Sequence, residues 1–284
     1  MIEFYKVHGL ANDFIVIDAT VVPNRDYSGL ATAICHRHIG VGADGMLVIV
    51  HVSGDEADFS LRFFNADGTE TELSGNGIRC AAAVLYDTNR SNNKELNIRT
   101  RAGIKTLKLR TQSMSRFEFE VMMGKPIFTP AEIPMLTSEA LSQVINYQLP
   151  LETQNTSVAI TALSTGNPHC VIFVPDFDSI DWRTLGKEVC QHKAFPNQVN
   201  VEFVQIISEQ EIAARFWERG VGETASSGTG SCAATVASII NNFTERQVRV
   251  QTSAGELQVN WRSDDNINLI GPAEIICQGR YRLR

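Results

Sequence analysis

Residues 62–82 and 215–235 read as one segment written twice. Aligned without a gap at an offset of 153, they share Arg62/Arg215, Phe63/Phe216, Glu70/Glu223, Thr71/Thr224, Ser74/Ser227, Gly75/Gly228, Gly77/Gly230 and Ala81/Ala234. Chance would supply about one or two identities in such a window, so this is an internal repeat. It continues on both sides. "RTRAGIKTLKL" (99–109) resembles "QTSAGELQVNW" (251–261), and "ANDFIVI" (11–17) lines up with "GNPHCVIFV" (166–174) through Asn12/Asn167 and Val16/Val171. A chain of 284 residues built this way folds as two copies of one unit of about 140 residues each.

Each copy has the same punctuation. Short β-branched or alternating runs such as "FIVID", "GMLVIV", "FSLRFF" and "CVIFV" predict strands. A Gly-x-Gly loop then opens a small, apolar helix, "IRCAAAVLYDTN" in one copy and "SCAATVASIINNF" in the other. With so little polar surface, each helix is expected inside its own sheet. More strands follow: "ELNIRT", "IKTLKLR" and "FEFEVMM", then "QVRVQT", "ELQVNW" and "NINLIG". Further helices are predicted near Asp26–His38 and Ser179–Cys190. The Pro-containing "GKPIFTPAEIP" (124–134) is the expected link. We therefore expect an α/β fold of the α+β type with two pseudo-symmetric halves, each a curled mixed sheet around a central helix. The halves are 1–128, joined by the last strand at about 275–284, and 129–274.

Composition narrows the function. The chain is 43% hydrophobic and 20% charged, with a net charge of −7 and no long basic run. That composition supports a full core and argues against a nucleic-acid or anionic-membrane partner. No apolar run approaches ~18 residues, and "MIEFYKVHGLANDF" lacks a basic segment followed by an apolar one, so a cytoplasmic protein is expected. The six cysteines are scattered without a CxxC pair, which fits reduced thiols. "HRH" (36–38) is too short for a metal site, and no other spacing supports zinc; no metal is expected.

The doubled loop carries the chemistry. Unpaired N–H groups at a helix start carry partial positive charge, and glycines let a ligand approach them. "SGNG" and "SSGTG" are therefore candidate anion or carboxylate holes. A lone Gly-x-Gly is more often a tight turn, but a turn need not repeat its flanking serine. Two such loops suit a reaction with two faces, in which a stereocentre is inverted by removing a proton on one side and returning it on the other.

The segments "KVHGLANDFIVID", "HRHIGVGADG", "FFNADGTETELSGNGIRC", "STGNPHCVIFV", "NVEFV" and "FWERGVGETASSGTGSCAA" resemble the diaminopimelate epimerase family over essentially the whole chain. The resemblance implies cofactor-independent interconversion of LL- and meso-diaminopimelate, in lysine and peptidoglycan synthesis, by a protein that is usually a homodimer. It places Asn12, Asn65, Asn167 and Asn200 among the substrate's hydrogen-bonding partners. It puts Glu218 and Arg219 near the substrate's amino and carboxylate groups. Gly75 and Asn76, with Gly228 and Thr229, correspond to the carboxylate-cradling loops, and His169 stands next to the reaction centre. Asn, Glu and Arg are apt donors and acceptors for a substrate with two zwitterionic ends.

The chain departs from the family pattern at the proton-transfer positions. The family motifs read C-G-N-G and A-C-G-[ST]-G, each with a catalytic cysteine; here Ser74 and Ser227 stand there. A thiol titrates near ~8.5 and is readily lowered at a helix start, whereas a serine alkoxide is hard to form without a neighbouring base. Cys80, Cys170 and Cys232 are expected to be packed core thiols rather than replacements. His8, His36 and His38 read as structural or surface residues. Glu70 and Glu223 are expected in capping or supporting hydrogen bonds. "GVGADG" (40–45) lacks the βαβ context of a nucleotide loop. Three functions stay open: a diaminopimelate epimerase, slowed or silenced by its serines; a non-catalytic diaminopimelate-binding homologue; and a related isomerase or dehydratase, as in the phenazine-pathway and hydroxyproline enzymes.

Overall fold

The repeat is visible in the backbone pairing of the computed structural model, which describes residues 1–22, 26–52, 56–137, 140–151 and 156–283. The chain divides into two compact units, Met1–Met122 with Ile270–Arg284, and Met123–Leu269.

In the first unit β1 (Ile2–Gly9) pairs antiparallel with β2 (Asn12–Asp18). A crossover through α1 (Tyr27–Cys35) brings β3 (Gly45–His51) parallel to β2. β4 (Phe59–Asn65) turns back along β3, and the two-residue β5 (Glu70–Thr71) pairs with it before α2 (Gly75–Asp87). β6 (Glu95–Thr100) then runs parallel to β4 and starts the meander β7 (Gly103–Ser113) and β8 (Arg116–Gly124).

The second unit repeats this order. β9 (Val144–Leu151) and β10 (Thr156–Ser164) pair antiparallel, and β11 (Pro168–Phe173) turns back along β10. The crossover α3 (Trp182–Cys190) brings β12 (Asn200–Ser208) parallel to β11. β13 (Glu211–Glu218) and β14 (Gly222–Thr224) lead into α4 (Gly228–Ile240). β15 (Gln247–Thr252), parallel to β13, and β16 (Gly255–Trp261) follow, and β17 (Ile267–Tyr281) carries the chain back to pair with β1.

The units agree in register as well as order. Phe14 stands beside Gly45 as His169 stands beside Asn200, and Leu47 faces Phe63 as Glu202 faces Phe216. α1 and α3 each have nine residues, and α2 and α4 thirteen.

Burial explains the sequence pattern. α2 buries every residue from Asn76 to Tyr86, and α4 buries Gly230–Ser238. A helix apolar all round must be enclosed. α2 packs on β1–β4, and α4 on β10–β13, β15 and β16. The outer faces are covered separately. α1 packs in a cluster with Ile2, Ile15, Ile17, Met46 and Phe64, while Trp182 and Val189 of α3 pack with Ile172, Val201 and Phe203. Covered on both sides, β2 reads as a continuous apolar run.

Both central helices begin three residues before the expected Ile78 and Ser231, because the Gly-x-Gly loop is itself the first helical turn. β9 and β10 carry no clear strand signal in the sequence. Polar residues interrupt "VINYQLPL", and its Pro150 is of a kind tolerated only at sheet edges or irregularities. The result is an α+β protein of two like units, each a mixed sheet around a central helix.

Candidate active site

Ser74 and Ser227 are the N-caps of α2 and α4. The Oγ of Ser74 accepts from the N–H of Gly77 at 3.1 Å, and that of Ser227 from the N–H of Gly230 at 3.2 Å. Both caps have extended backbone, φ −126° and −133°. Serine is among the preferred residues for this position because its oxygen satisfies an otherwise orphaned helix donor. Gly75–Asn76 and Gly228–Thr229 form the open first turn just beyond.

In the first unit the cap is tied to a polar chain. Asn76 donates to Asn12 Oδ1 at 3.4 Å, and Asn12 donates to Asp44 Oδ2 at 3.0 Å. Asp44 is held in turn by the Asp13 N–H (3.1 Å) and by Arg37 (2.7 Å). Arg79 is wholly buried on α2. Its guanidinium donates to Asn76 Oδ1 (2.7 Å) and to the carbonyls of Gly75 (3.0 Å) and Pro272 (3.1 Å). Ser74, Gly75, Asn76 and Asn12 are thus gathered at one helix start. Asn65, at the exposed end of β4, donates to Thr69 Oγ1 at 2.9 Å.

In the second unit the Ser227 hydroxyl is close enough to the Glu218 carboxyl to pull its pKa down. Glu218 occupies the position that Asn65 holds in the first unit. His169, fully buried, touches Asn167 Oδ1 through Nε2 (2.9 Å) and Glu202 Oε1 through Nδ1 (2.7 Å). Asn200 spans the strand ends, donating to the Pro168 carbonyl at 3.0 Å and accepting from the Arg219 N–H at 2.9 Å. Thr165 Oγ1 reaches the Thr229 carbonyl at 3.5 Å. The Arg219 side chain is exposed and donates to the Asn197 carbonyl at 3.1 Å, so it does not pair with the adjacent Glu218.

Burial raises the Glu218 carboxyl, while the nearby Ser227 hydroxyl and His169 oppose that rise. Glu202 is raised by burial too, against the pull of His169. A carboxyl held high is suited to take and return protons. Burial pushes the Cys80 thiol up to about 12 and Cys170 well above its ordinary value. Neither can stand in for a loop thiolate, and Cys232 is fully buried as well. Glu70 and Glu223 do not cap the helices; they pair with Arg62 (2.8 Å) and Arg183 (2.6 Å). Among the described residues no cluster of three His, Cys, Asp or Glu side chains could hold a metal ion.

The diaminopimelate epimerase family model matches residues 4–129 and 161–276. The diaminopimelate epimerase of Pelotomaculum thermopropionicum is 42% identical, over 99% of this chain and 99% of that protein. That of Halothermothrix orenii is 41% identical over 98% and 97%. The chain belongs to the diaminopimelate epimerase family. Its enzyme class is therefore isomerase.

More distant solved structures share the fold. A phenazine biosynthesis protein of the PhzF family from Bacillus anthracis superposes with a TM-score of 0.71 at 16% identity, covering 99% of both chains. A hydroxyproline epimerase from Agrobacterium vitis, with bound trans-4-hydroxy-L-proline, superposes with a TM-score of 0.67 at 13% identity, covering 99% of this chain and 90% of that one.

Three residues that hold this arrangement were not among the sequence candidates: Asp44, Arg79 and Glu202. The signal for Glu202 was available as an acid inside the apolar run "VEFV", and for Arg79 as a single cation in an otherwise apolar helix. Asp44 gave none beyond its place in a glycine-rich loop.

Proposed function

We propose that this protein interconverts LL- and meso-diaminopimelate by proton transfer at the α-carbon, with Ser74 and Ser227 in the two proton-transfer positions. The carrying observation is their shared geometry. Each hydroxyl caps a central helix, so each sits at the positive end of a helix whose next residues present free backbone donors. One group removes the α-proton, leaving a carbanion whose charge spreads into the substrate carboxylate. The other returns a proton to the opposite face. The first-turn N–H groups of Gly75–Asn76 and Gly228–Thr229 would stabilise that charge. Asn12, Asn65, Asn167, Asn200, Glu218 and Arg219 would bind the amino and carboxylate groups, with His169 in support.

Serine makes the two positions unequal. Ser227 has the Glu218 carboxyl beside it, a group able to accept its proton, whereas Ser74 has Asn65 at the matching position of the repeat. Proton transfer through hydroxyls should be slow, since their alkoxides form only with such help. The reaction as proposed uses no cofactor, and we place the protein in the cytoplasm as a homodimer that binds neither nucleic acid nor membrane. No helix among the described residues is long and apolar enough to cross a membrane.

The test is deuterium incorporation at the α-carbon of diaminopimelate in all four serine/cysteine combinations at positions 74 and 227. Ser74→Cys with Ser227→Cys together should raise exchange by orders of magnitude, and either change alone far less, because the two transfers form one process. Calorimetry at millimolar diaminopimelate checks binding separately. No binding of either isomer would overturn the substrate assignment. Binding without any gain in the double-cysteine form would overturn the two-base role.

A further inference from the structure

The repeat supplies an internal control for every residue behind the two loops. A Cβ built on Gly77, in the first turn of α2, would meet Leu47 at 3.2 Å and Phe63 at 3.2 Å. Built on Gly230, in the first turn of α4, it would meet Glu202 Oε1 at 2.9 Å and Phe216 at 2.9 Å. The register makes these the same two positions, with Glu202 in place of Leu47. The neighbouring strand agrees, with His169 in place of Phe14. One unit thus closes its sheet against the helix start with Phe14 and Leu47. The other buries an imidazole and a carboxylate, 0% and 1% exposed, at the same two places.

The fold does not need that pair, since the first unit does without it. Burying a carboxylate is unfavourable unless it is paired and fully hydrogen-bonded, and Glu202 Oε2 has no hydrogen-bond partner among the described residues. The one strong contact Glu202 makes is to His169 Nδ1. A carboxylate accepts only, so Nδ1 must carry the proton that it donates. The other ring nitrogen lies 2.9 Å from Oδ1 of Asn167, one of the proposed substrate-binding residues; that oxygen also only accepts, so Nε2 carries a proton and donates to it unless the Asn167 amide is turned to present its NH2. This is how an acid orients a histidine without itself touching substrate.

We infer that Glu202 is a positioning residue: it pins His169 with Nδ1–H in the core and leaves Nε2 as the nitrogen that addresses Asn167 and the reaction centre. The inference deepens the proposed epimerisation and rests on it for its catalytic consequence, though not for its effect on His169.

Four proteins test it: the parent, Glu202→Gln, Glu202→Leu, and His169→Phe combined with Glu202→Leu, which copies the first unit's residues into the second. Long-range proton–nitrogen NMR of histidine-labelled protein should show His169 protonated at Nδ1 in the parent. That signature should persist in Glu202→Gln, which keeps an acceptor, and be lost in Glu202→Leu. Unchanged His169 nitrogens in Glu202→Leu would overturn the inference. The double variant should melt within about 2 °C of the parent or above it. A fall of more than about 5 °C would show that the pair is structural and overturn it as well. With diaminopimelate, Glu202→Leu and the double variant should lose about tenfold or more in α-proton exchange. Their dissociation constants should change less than about threefold, and Glu202→Gln should fall between. Exchange at the parent's rate would overturn the positioning role. If the parent neither binds nor exchanges diaminopimelate, the proposed function fails, while the NMR and melting results still decide whether Glu202 holds His169.

Discussion

The two helix starts are alike at their caps and unlike in what lies behind them. Both open with a serine cap and a Gly-x-Gly turn. Behind Ser74 the strands present Leu47 and Phe63, and the buried charge sits on the helix as Arg79. Behind Ser227 the charge sits on the strands as Glu202 with His169, and the helix position matching Arg79 is Cys232, also fully buried. Behind each of the two loops lies a fully buried ionic group, of opposite sign and from a different element. A device that only one copy of a repeat carries is not required by the fold, so its reason lies in what each loop must do.

The strongest way to sharpen this contrast is to remove the first unit's device. Arg79→Met should destabilise the protein by about 3 kcal/mol or more, since it leaves the Gly75 and Pro272 carbonyls and Asn76 Oδ1 without a charged donor. Cys232→Ala, the matching change in the other unit, removes one sulfur and should cost about 1 kcal/mol. Chemical denaturation of both variants checks it. Similar losses would mean that Arg79 is only filling space.

The glycines of the two first turns come next. Neither Gly77 nor Gly230 has a positive φ, so alanine gains up to about 1 kcal/mol of helix propensity at either site. At Gly77 the new methyl would be 3.1–3.2 Å from Ser74, Leu47 and Phe63 side-chain atoms. At Gly230 it would be 2.9 Å from both Glu202 Oε1 and Phe216. Gly77→Ala should therefore be near neutral, and Gly230→Ala should cost about 2 kcal/mol and disturb the His169 contact. Equal melting temperatures for the two variants would contradict the difference in packing behind the loops.

Much of this contrast was legible in sequence, and what escaped did so for a physical reason. The repeat announced the two units, and the apolar runs of "CAAAVLY" and "CAATVAS" announced enclosed helices, because a helix with no polar face has nowhere else to go. Helix starts were displaced because Gly-x-Gly reads as a turn, and only the cap geometry shows that it is already helical. The partners of polar residues were not legible. Glu70 and Glu223 stood in the lead-in to the loops, yet both reach sideways to arginines on neighbouring elements. Arg219 adjoins Glu218 in sequence but points elsewhere, since neighbouring residues at a strand end project to opposite faces.

The caps themselves should give a smaller effect. Ser74→Ala removes a capping acceptor and should cost about 1 kcal/mol. Ser227→Ala removes the same acceptor and also a hydroxyl beside the Glu218 carboxyl, so it should cost up to about 1 kcal/mol more. Denaturation midpoints give both values. A smaller loss at Ser227 than at Ser74 would argue against any favourable interaction between Ser227 and Glu218.

The smallest expected effect is the response to acid, and it should differ in sign between the units. At the end of β2, Asp18 faces Arg90 and His51. At the matching places the second unit puts Phe173 against Phe243, rings 4.8 Å apart. Burial alone would raise the Asp18 carboxyl, but hydrogen bonds from Thr20 and His51 and the charge of Arg90 hold it at about 2. A carboxyl depressed in the folded state stabilises it above the ordinary carboxylate value, and that contribution is lost as pH falls through about 2. Asp13 and Glu70 of the same unit are depressed too, so acid weakens the first unit at several points. In the second unit Glu202 and Glu218 are raised, so protonating them relieves a cost, and stability rises as pH falls through their folded values. Asp181 and Asp264 there are depressed but lie at the solvent surface, where screening leaves them little weight. Amide hydrogen exchange, corrected for its intrinsic pH dependence, should therefore show β2 and β3 losing protection between about pH 4 and pH 2, while β11 and β12 hold theirs. Asp18→Asn should remove part of that loss, by less than about 1 kcal/mol once solvent screening is counted. If both units loosened together with the same midpoint, the two ionic devices would be coupled through one cooperative unfolding, and the contrast between them would lie in chemistry alone.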